Sequence, residues 1–162
     1  VMIVMGLNQG MQPIAGYNFG AKLYGRVNKV LRLTIIYATA VTTFGFLVGM
    51  LVPDLVVGIF TSDAELTELS VTGLRITVMF FPIIGFQMVT SNFFQSIGMA
   101  GKAIFLSLTR QMLILLPCLL VLPQFFGVAG VWYSMPVSDL LASLIALVML
   151  VCQFRKFRTS PL

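Results

Sequence analysis

Long apolar stretches separated by short polar segments dominate this chain of 162 residues. Three of them, Val30–Val52, Ala103–Leu122 and Val128–Cys152, reach the roughly 18–20 residues that cross a bilayer. The stretch Val71–Gly85 is shorter, but mostly apolar residues continue it as far as Ile97. The pattern predicts an all-α integral membrane protein, a polytopic helical bundle of about five transmembrane helices. We place the spans near residues 2–20, 30–52, 70–97, 103–123 and 128–153, within one domain covering residues 1–162.

The basic residues predict which way these spans run. One set of loops and span ends holds eight of them: Lys22, Arg26, Lys29, Arg32, Lys102, Arg155, Lys156 and Arg158. The other set holds one basic residue, Arg75, with four acidic ones: Asp54, Asp63, Glu65 and Glu68. Because basic residues near span ends favour the cytoplasm, the C-terminus is predicted to be cytoplasmic.

Composition narrows the class of protein further. Only 9% of the residues are charged, the mean hydropathy is +1.02, and a soluble domain carries about 25% charged residues. The absence of histidine excludes His-ligated metals and His-based catalysis, and Cys118 and Cys152 stand singly without CxxC spacing. We therefore expect no metal, no cofactor, no enzymatic activity and no nucleic-acid partner; the partner is the lipid bilayer. Because the chain opens on the apolar Val1–Met5 without an initiator Met, we interpret it as a fragment.

The segment "QPIAGYNFGA" interrupts the apolar pattern at the end of the first span. Pro13 cannot donate a backbone hydrogen bond, and the four-residue spacing of Gly16 and Gly20 allows two helices to approach closely. Gln12 and Asn18 are expected to point into the bundle, because amides are costly against lipid. The segment is either a kinked, tightly packed helix end or a flexible element that lines a pathway.

A stripe of polar residues marks the third predicted span. Gln87, Ser91 and Gln95 recur every four residues, which places them on one helical face, and Asn92 lies beside them. We predict that these four side chains line a cavity.

Two further charged residues lie inside predicted spans. Asp139 is close to mid-depth in the last span, and Arg110 lies about two turns from the cytoplasmic end of the fourth. An ionisable group at the bilayer centre costs on the order of 2.5–3.5 kcal/mol on insertion scales and usually faces the interior or a cavity. Three roles remain open: an Asp139–Arg110 ion pair, whose estimated depths differ by about two helical turns; proton or cation coupling, with gating; or polar contacts to backbone or water.

The chain resembles the MATE family, the multidrug and toxic-compound extrusion antiporters. The stretches "QPIAGYNFGA", "IFTSDAEL", "SNFFQSIGMAGKAIFLSLTRQ" and "GVAGVWYSMPVSD" carry the resemblance, in the family's order and spacing. The bacterial branch of DinF-like and MepA-like exporters is the most similar. The resemblance implies a twelve-span fold in two lobes, of which this chain is a C-terminal-lobe fragment matching spans eight to twelve.

By this resemblance the protein exports organic cations or other xenobiotics across a bacterial plasma membrane. Inward flow of Na⁺ or H⁺ drives alternating access, together with the N-terminal lobe that this chain lacks. NorM-like members carry an Asp after a Tyr-Gln or Phe-Gln pair, but here Phe86-Gln87 is followed by Thr90 at that position. Coupling is therefore expected in the first lobe. Rival functions are a lipid-linked oligosaccharide flippase of the same superfamily, a membrane-embedded enzyme and a non-transporting structural subunit.

Overall fold

The protein is helical throughout the part of the chain that the computed structural model describes, residues 2–60 and 64–159. The elements are α1 (Met2–Gly20), α2 (Tyr24–Leu51), α3 (Pro53–Gly58), α4 (Ala64–Val78), α5 (Phe81–Ser96), α6 (Ala100–Leu108), a π-helical segment (Thr109–Leu115), α7 (Leu116–Phe126) and α8 (Val128–Thr159). No strand occurs in these two ranges. The predicted all-α membrane class is confirmed.

The helices divide the apolar stretches differently from the five predicted spans. Among the described residues, three helical stretches are long and apolar enough to cross a membrane: Tyr24–Leu51, Ala100–Phe126 and Val128–Phe157. A fourth is possible if α4 and α5, which meet at an angle of 49°, form one broken span. Pro82 lies in the first turn of α5 and accounts for the break, because proline has no N–H and disfavours helix in the residue before it. Helix α1 has 19 residues, but its amides lower its hydropathy.

Small residues bring α1, α2 and α5 together. Gly85 of α5 lies against Ala38 and Thr42 of α2, so that a Cβ there would stand 3.0 Å from the Ala38 carbonyl oxygen. Gly16 of α1 lies equally close to the carbonyl oxygen of Ser96, at 2.9 Å from a hypothetical Cβ. These contacts allow close packing of helix backbones in a bilayer. The contacting positions also give the relative directions of the helices: α1 runs parallel to α5, and α2 runs antiparallel to it.

An aromatic cluster closes the end of the bundle that carries the basic residues. The Tyr24 and Phe157 rings stack with centroids 5.0 Å apart, and Phe19 lies 5.8 Å from Phe157. Phe154 continues the cluster to Phe157 at 6.0 Å and to Phe93 at 6.5 Å. Four helices, α1, α2, α5 and α8, are thereby joined at this end.

The last two transmembrane stretches form an antiparallel hairpin around a glycine turn. Gly127 has φ of 59°, a left-handed conformation that favours glycine, and it follows α7. Gly130 then packs directly on the Leu122 carbonyl, where a Cβ would clash. At the other end of the hairpin, Lys102 donates a hydrogen bond to Gln153. The hairpin therefore presents α6, the π segment and α7 to one face of α8.

Candidate functional site

Arg110 and Asp139 form an ion pair between the π segment and α8. The Arg110 Nε donates to Asp139 Oδ1 at 2.8 Å, and Nη2 lies 2.6 Å from the same oxygen. The Asp139 side chain is 7% exposed and that of Arg110 is 35% exposed. Of the three alternatives that the sequence leaves open, the ion pair is therefore present. Within the described ranges, no hydrogen bond reaches Oδ2 of Asp139.

The π segment removes part of the difference in estimated depth between Arg110 and Asp139. Ser138, beside Asp139, donates its hydroxyl to the Arg110 carbonyl at 3.0 Å, so the two backbones lie level there. Arg110 is seventeen residues before the Gly127 turn, whereas Ser138 is only eleven residues after it. A π turn closes through i→i+5 hydrogen bonds and uses more residues per turn. The depths expected from the sequence assume an uninterrupted α-helix, and the π segment shortens the rise between Arg110 and the Gly127 turn, without accounting for the whole difference between the seventeen-residue and eleven-residue arms.

Proline accounts for the π segment locally. Pro117 stands in the first turn of α7, immediately after the segment. It has no N–H to donate to Leu113, and its ring crowds the carbonyl of that residue. The backbone widens before the proline, and a π-helical turn of this kind is frequent at functional sites. Thr109, at the start of the segment, has a buried hydroxyl without a partner among the described residues.

The ion pair lines a cavity of about 390 Å³. Its other polar lining groups belong to Thr77 and Ser138. The remaining wall is apolar and is formed by Met5, Phe81, Ile84, Met88, Leu115 and Met135. No group of three or more His, Cys, Asp or Glu side chains in the described ranges could hold a metal. The charges of Arg110 and Asp139 cancel, and the rest of the wall suits a bulky apolar molecule, because methionine and aromatic side chains are soft and polarizable.

The predicted polar stripe of α5 lies elsewhere. Ser91 donates to the Ala103 carbonyl of α6 at 3.4 Å, and Asn92 accepts from Gln12 of α1 at 3.3 Å. Gln87 is buried, Gln95 is exposed, and neither lines the cavity around the ion pair. The structure therefore uses Ser91 and Asn92 to join helices. That the four residues line a cavity stays a prediction.

The segment "QPIAGYNFGA" continues α1 without a break. Pro13 lies inside the helix, which runs through it to Gly20. Asn18 is buried and donates to the Ile14 carbonyl one turn back at 2.8 Å. Gly16 makes the close contact with Ser96, whereas nothing in the described ranges lies within 4 Å of a Cβ at Gly20.

Sequence reasoning missed two features of this region. Met5, Met88 and Met135 reach the cavity from three helices, which no spacing along the chain reveals. Asn8 is 2% exposed, and neither its side-chain oxygen nor its nitrogen has a partner among the described residues. The burial of Asn8 could have been inferred from the sequence, because Asn8 lies one helical turn before Met11 and therefore on the same buried face of α1.

Known proteins place the chain in a family. The MatE family model matches residues 1–121 of the 162, and the chain therefore belongs to that family. Multidrug export protein MepA of Staphylococcus aureus strain MSSA476 is 26% identical over 146 residues, which are 90% of this chain and 32% of MepA. MepA of Staphylococcus saprophyticus is 22% identical over the same length. The predicted resemblance is confirmed, and membership places the chain among transporters rather than enzymes.

Solved structures agree with this assignment. The MATE multidrug transporter DinF-BH, solved in complex with R6G, superposes with a TM-score of 0.89 and 36% identity over 97% of this chain and 35% of DinF-BH. An inward-facing MATE transporter, 20% identical, shares the fold with a TM-score of 0.89 over 98% of this chain and 37% of its own. An outward-facing one, 17% identical, shares it with a TM-score of 0.86 over 97% of this chain and 36% of its own. The chain thus spans about a third of the length of the relatives it matches.

Proposed function

We propose that this chain forms part of the C-terminal lobe of a multidrug exporter in a bacterial plasma membrane. The complete transporter would move organic cations and other xenobiotics outward in exchange for Na⁺ or H⁺, by alternating access of two lobes. Its C-terminus would be cytoplasmic, since the basic residues concentrate at that end. The observation that carries the proposal is the Arg110–Asp139 pair on the wall of a methionine-rich cavity.

The cavity has the chemistry that a lipophilic cation requires. Its volume of about 390 Å³ lies within the roughly 300–1,000 Å³ of small-molecule sites. Phe81 offers an aromatic face for a cation–π contact, and Met88 and Met135 adapt to irregular shapes. Asp139 supplies a negative charge, which Arg110 neutralises while the pair is formed.

We assign the ion pair a gating role. Both Arg110 contacts fall on Oδ1 of Asp139, which leaves Oδ2 for a cation that enters the cavity. Such a cation competes with the guanidinium of Arg110 for the carboxylate, and Arg110 neutralises Asp139 again after release. The π segment gives Arg110 a backbone that can rearrange locally, since π turns are strained insertions in an α-helix.

We place the coupling ion outside α5. Thr90 occupies the position where NorM-like members carry an Asp, and its hydroxyl donates to the Phe86 carbonyl at 2.9 Å. A fully buried hydroxyl committed to its own helix is a poor proton or sodium carrier. The coupling carboxylate is therefore expected in the N-terminal lobe, with Na⁺ and H⁺ both open.

The test is transport by the full-length protein that carries this lobe. Asp139→Asn keeps the side-chain shape but removes the charge, and we expect rhodamine 6G efflux from proteoliposomes to fall at least about tenfold, the factor that corresponds to 1.4 kcal/mol. Glu68→Gln is the matched control, because Glu68 is an exposed carboxylate on α4, away from the cavity. Unchanged efflux with an unchanged pH profile in Asp139→Asn would remove Asp139 from the mechanism.

A further inference from the structure

A second groove lies at the basic end of the bundle, between α2 and α8. It encloses about 370 Å³ and is lined by Asn28, Leu31, Arg32, Ile35, Ile36 and Phe154. Asn28 and Arg32 are exposed and one turn apart on α2, so their polar ends share a face. Leu31 is 1% exposed and forms the floor. The groove is therefore polar at its outer end and apolar along the helix toward the bilayer.

The charge around this groove is unbalanced. Four basic residues, Lys22, Arg26, Lys29 and Arg32, lie within residues 22–32, just before and in the first turns of α2. No Asp or Glu occurs in residues 1–53 or 140–162. A positive field of this kind attracts anions from the adjoining membrane surface.

We propose that the groove binds an anionic glycerophospholipid of the adjoining leaflet. The lipid phosphate would contact Arg32, whose planar guanidinium matches phosphate oxygens in bidentate geometry, and would accept from the Asn28 amide. One acyl chain would lie along Ile35 and Ile36, over Leu31 and against the Phe154 ring. Basic pockets between transmembrane helices on the cytoplasmic side bind anionic headgroups in this way.

The apolar wall of the groove is fixed before any lipid arrives. Phe154 lies 6.5 Å from Phe93 and 6.0 Å from Phe157, and Phe157 in turn stacks on Tyr24. Side chains held on two sides lose little rotamer freedom when a ligand binds, which favours affinity. The binding site goes beyond efflux and does not depend on it, because it concerns only the membrane environment of the lobe.

Native mass spectrometry of the full-length transporter in detergent tests the site with phosphatidylglycerol as the probe and phosphatidylcholine as the neutral comparison. We expect Arg32→Gln to weaken phosphatidylglycerol binding at least about tenfold, because a charge-assisted hydrogen bond to the phosphate is lost, and to weaken phosphatidylcholine binding less, because its choline group offsets the phosphate charge. Arg26→Gln is the matched control: Arg26 is exposed on the same helix but does not line the groove, so this change should remove only the general surface attraction and weaken binding about fivefold at most.

Two further arms test whether the acyl chain contributes to binding and whether phosphate alone can occupy the groove. Ile36→Trp fills the groove without changing any charge, and it should weaken phosphatidylglycerol binding to a similar degree; Ile36 is 55% exposed, so the fold should tolerate it. Excess inorganic phosphate should not displace the lipid. The proposal would be overturned if Arg32→Gln lost no binding, or lost only as much as Arg26→Gln. It would also be overturned if Ile36→Trp bound the lipid normally, or if phosphate displaced the lipid fully.

Discussion

Two regions of this bundle use hydroxyl groups in opposite ways. Where α1, α2 and α5 pack, hydroxyls bond to their own helix: Thr42 donates to the Ala38 carbonyl at 3.0 Å, and Thr90 is bonded likewise within α5. Where the π segment meets α8, Ser138 and Asp139 bond across the interface instead. A polar group satisfied within its own helix adds little specificity between helices. Gln12 and Asn92 also bond across α1 and α5, so a cross-helix bond distinguishes the site only where it lies beside the cavity, as those of Ser138 and Asp139 do.

The largest effect is expected from separating the ion pair. Arg110→Met leaves the Asp139 carboxylate buried without a counter-charge, so the unfolding free energy in detergent should fall by about 3 kcal/mol, the lower end of the range for broken buried pairs because Arg110 is partly exposed. Arg75→Met, at an exposed position in the last turn of α4, is the control. The double variant Arg110→Met with Asp139→Leu should recover most of the loss. A double variant as unstable as the single one contradicts this account.

The second-largest loss of unfolding free energy is expected where α5 packs on α2, when Gly85 is replaced by alanine. Its Cβ would stand 2.7 Å from the Thr42 hydroxyl and 3.0 Å from the Ala38 carbonyl, and the backbone oxygen cannot move aside. We expect Gly85→Ala to cost about 2 kcal/mol of unfolding free energy, in the range of overpacked cores. Gly45→Ala is the matched control, since its Cβ meets only the Phe81 ring at an ordinary 3.7 Å; it should be neutral or stabilising. Equal costs in both would mean that α2 and α5 pack more loosely than the structure has them.

The contrast also shows what the sequence could and could not predict. The cost of charge in hydrocarbon singled out Asp139 and Arg110 directly, and apolar length indicated the helical class. Their pairing was left open because it involves the π segment, which no hydrophobic period encodes, although Pro117 is a local cause, and because spacing along the chain does not give the offset between the two arms of the hairpin. Helical spacing placed Gln87 and Ser91 on one face, but spacing cannot say which neighbour covers that face. The break before Pro82 was missed because the apolar stretch continues through it.

The smallest expected loss of unfolding free energy comes from removing single serine hydroxyls of α8, and it compares a bond within the helix with a bond between helices. Ser134 and Ser138 are both fully buried on α8, one turn apart. Ser134 donates to the Gly130 carbonyl of its own helix at 2.7 Å, whereas Ser138 donates to the Arg110 carbonyl at 3.0 Å. Interhelical hydrogen bonds in membrane proteins contribute about 0.6 kcal/mol on average and at most about 1.7. We expect Ser138→Ala to lower the unfolding free energy by about 1 kcal/mol, because an acceptor of the π segment loses its donor.

Ser134→Ala is the comparison for that measurement and should change the unfolding free energy by less than about 0.5 kcal/mol, since the Gly130 carbonyl keeps its place in the helix ladder. Double variants make the test more specific. Ser138 and Arg110 share one contact network, so their losses should not add, whereas those of Ser134 and Arg110 should. Additive losses for Ser138 with Arg110→Met would show that the serine acts independently of the pair, and the distinction between packing bonds and site bonds would then fail at α8.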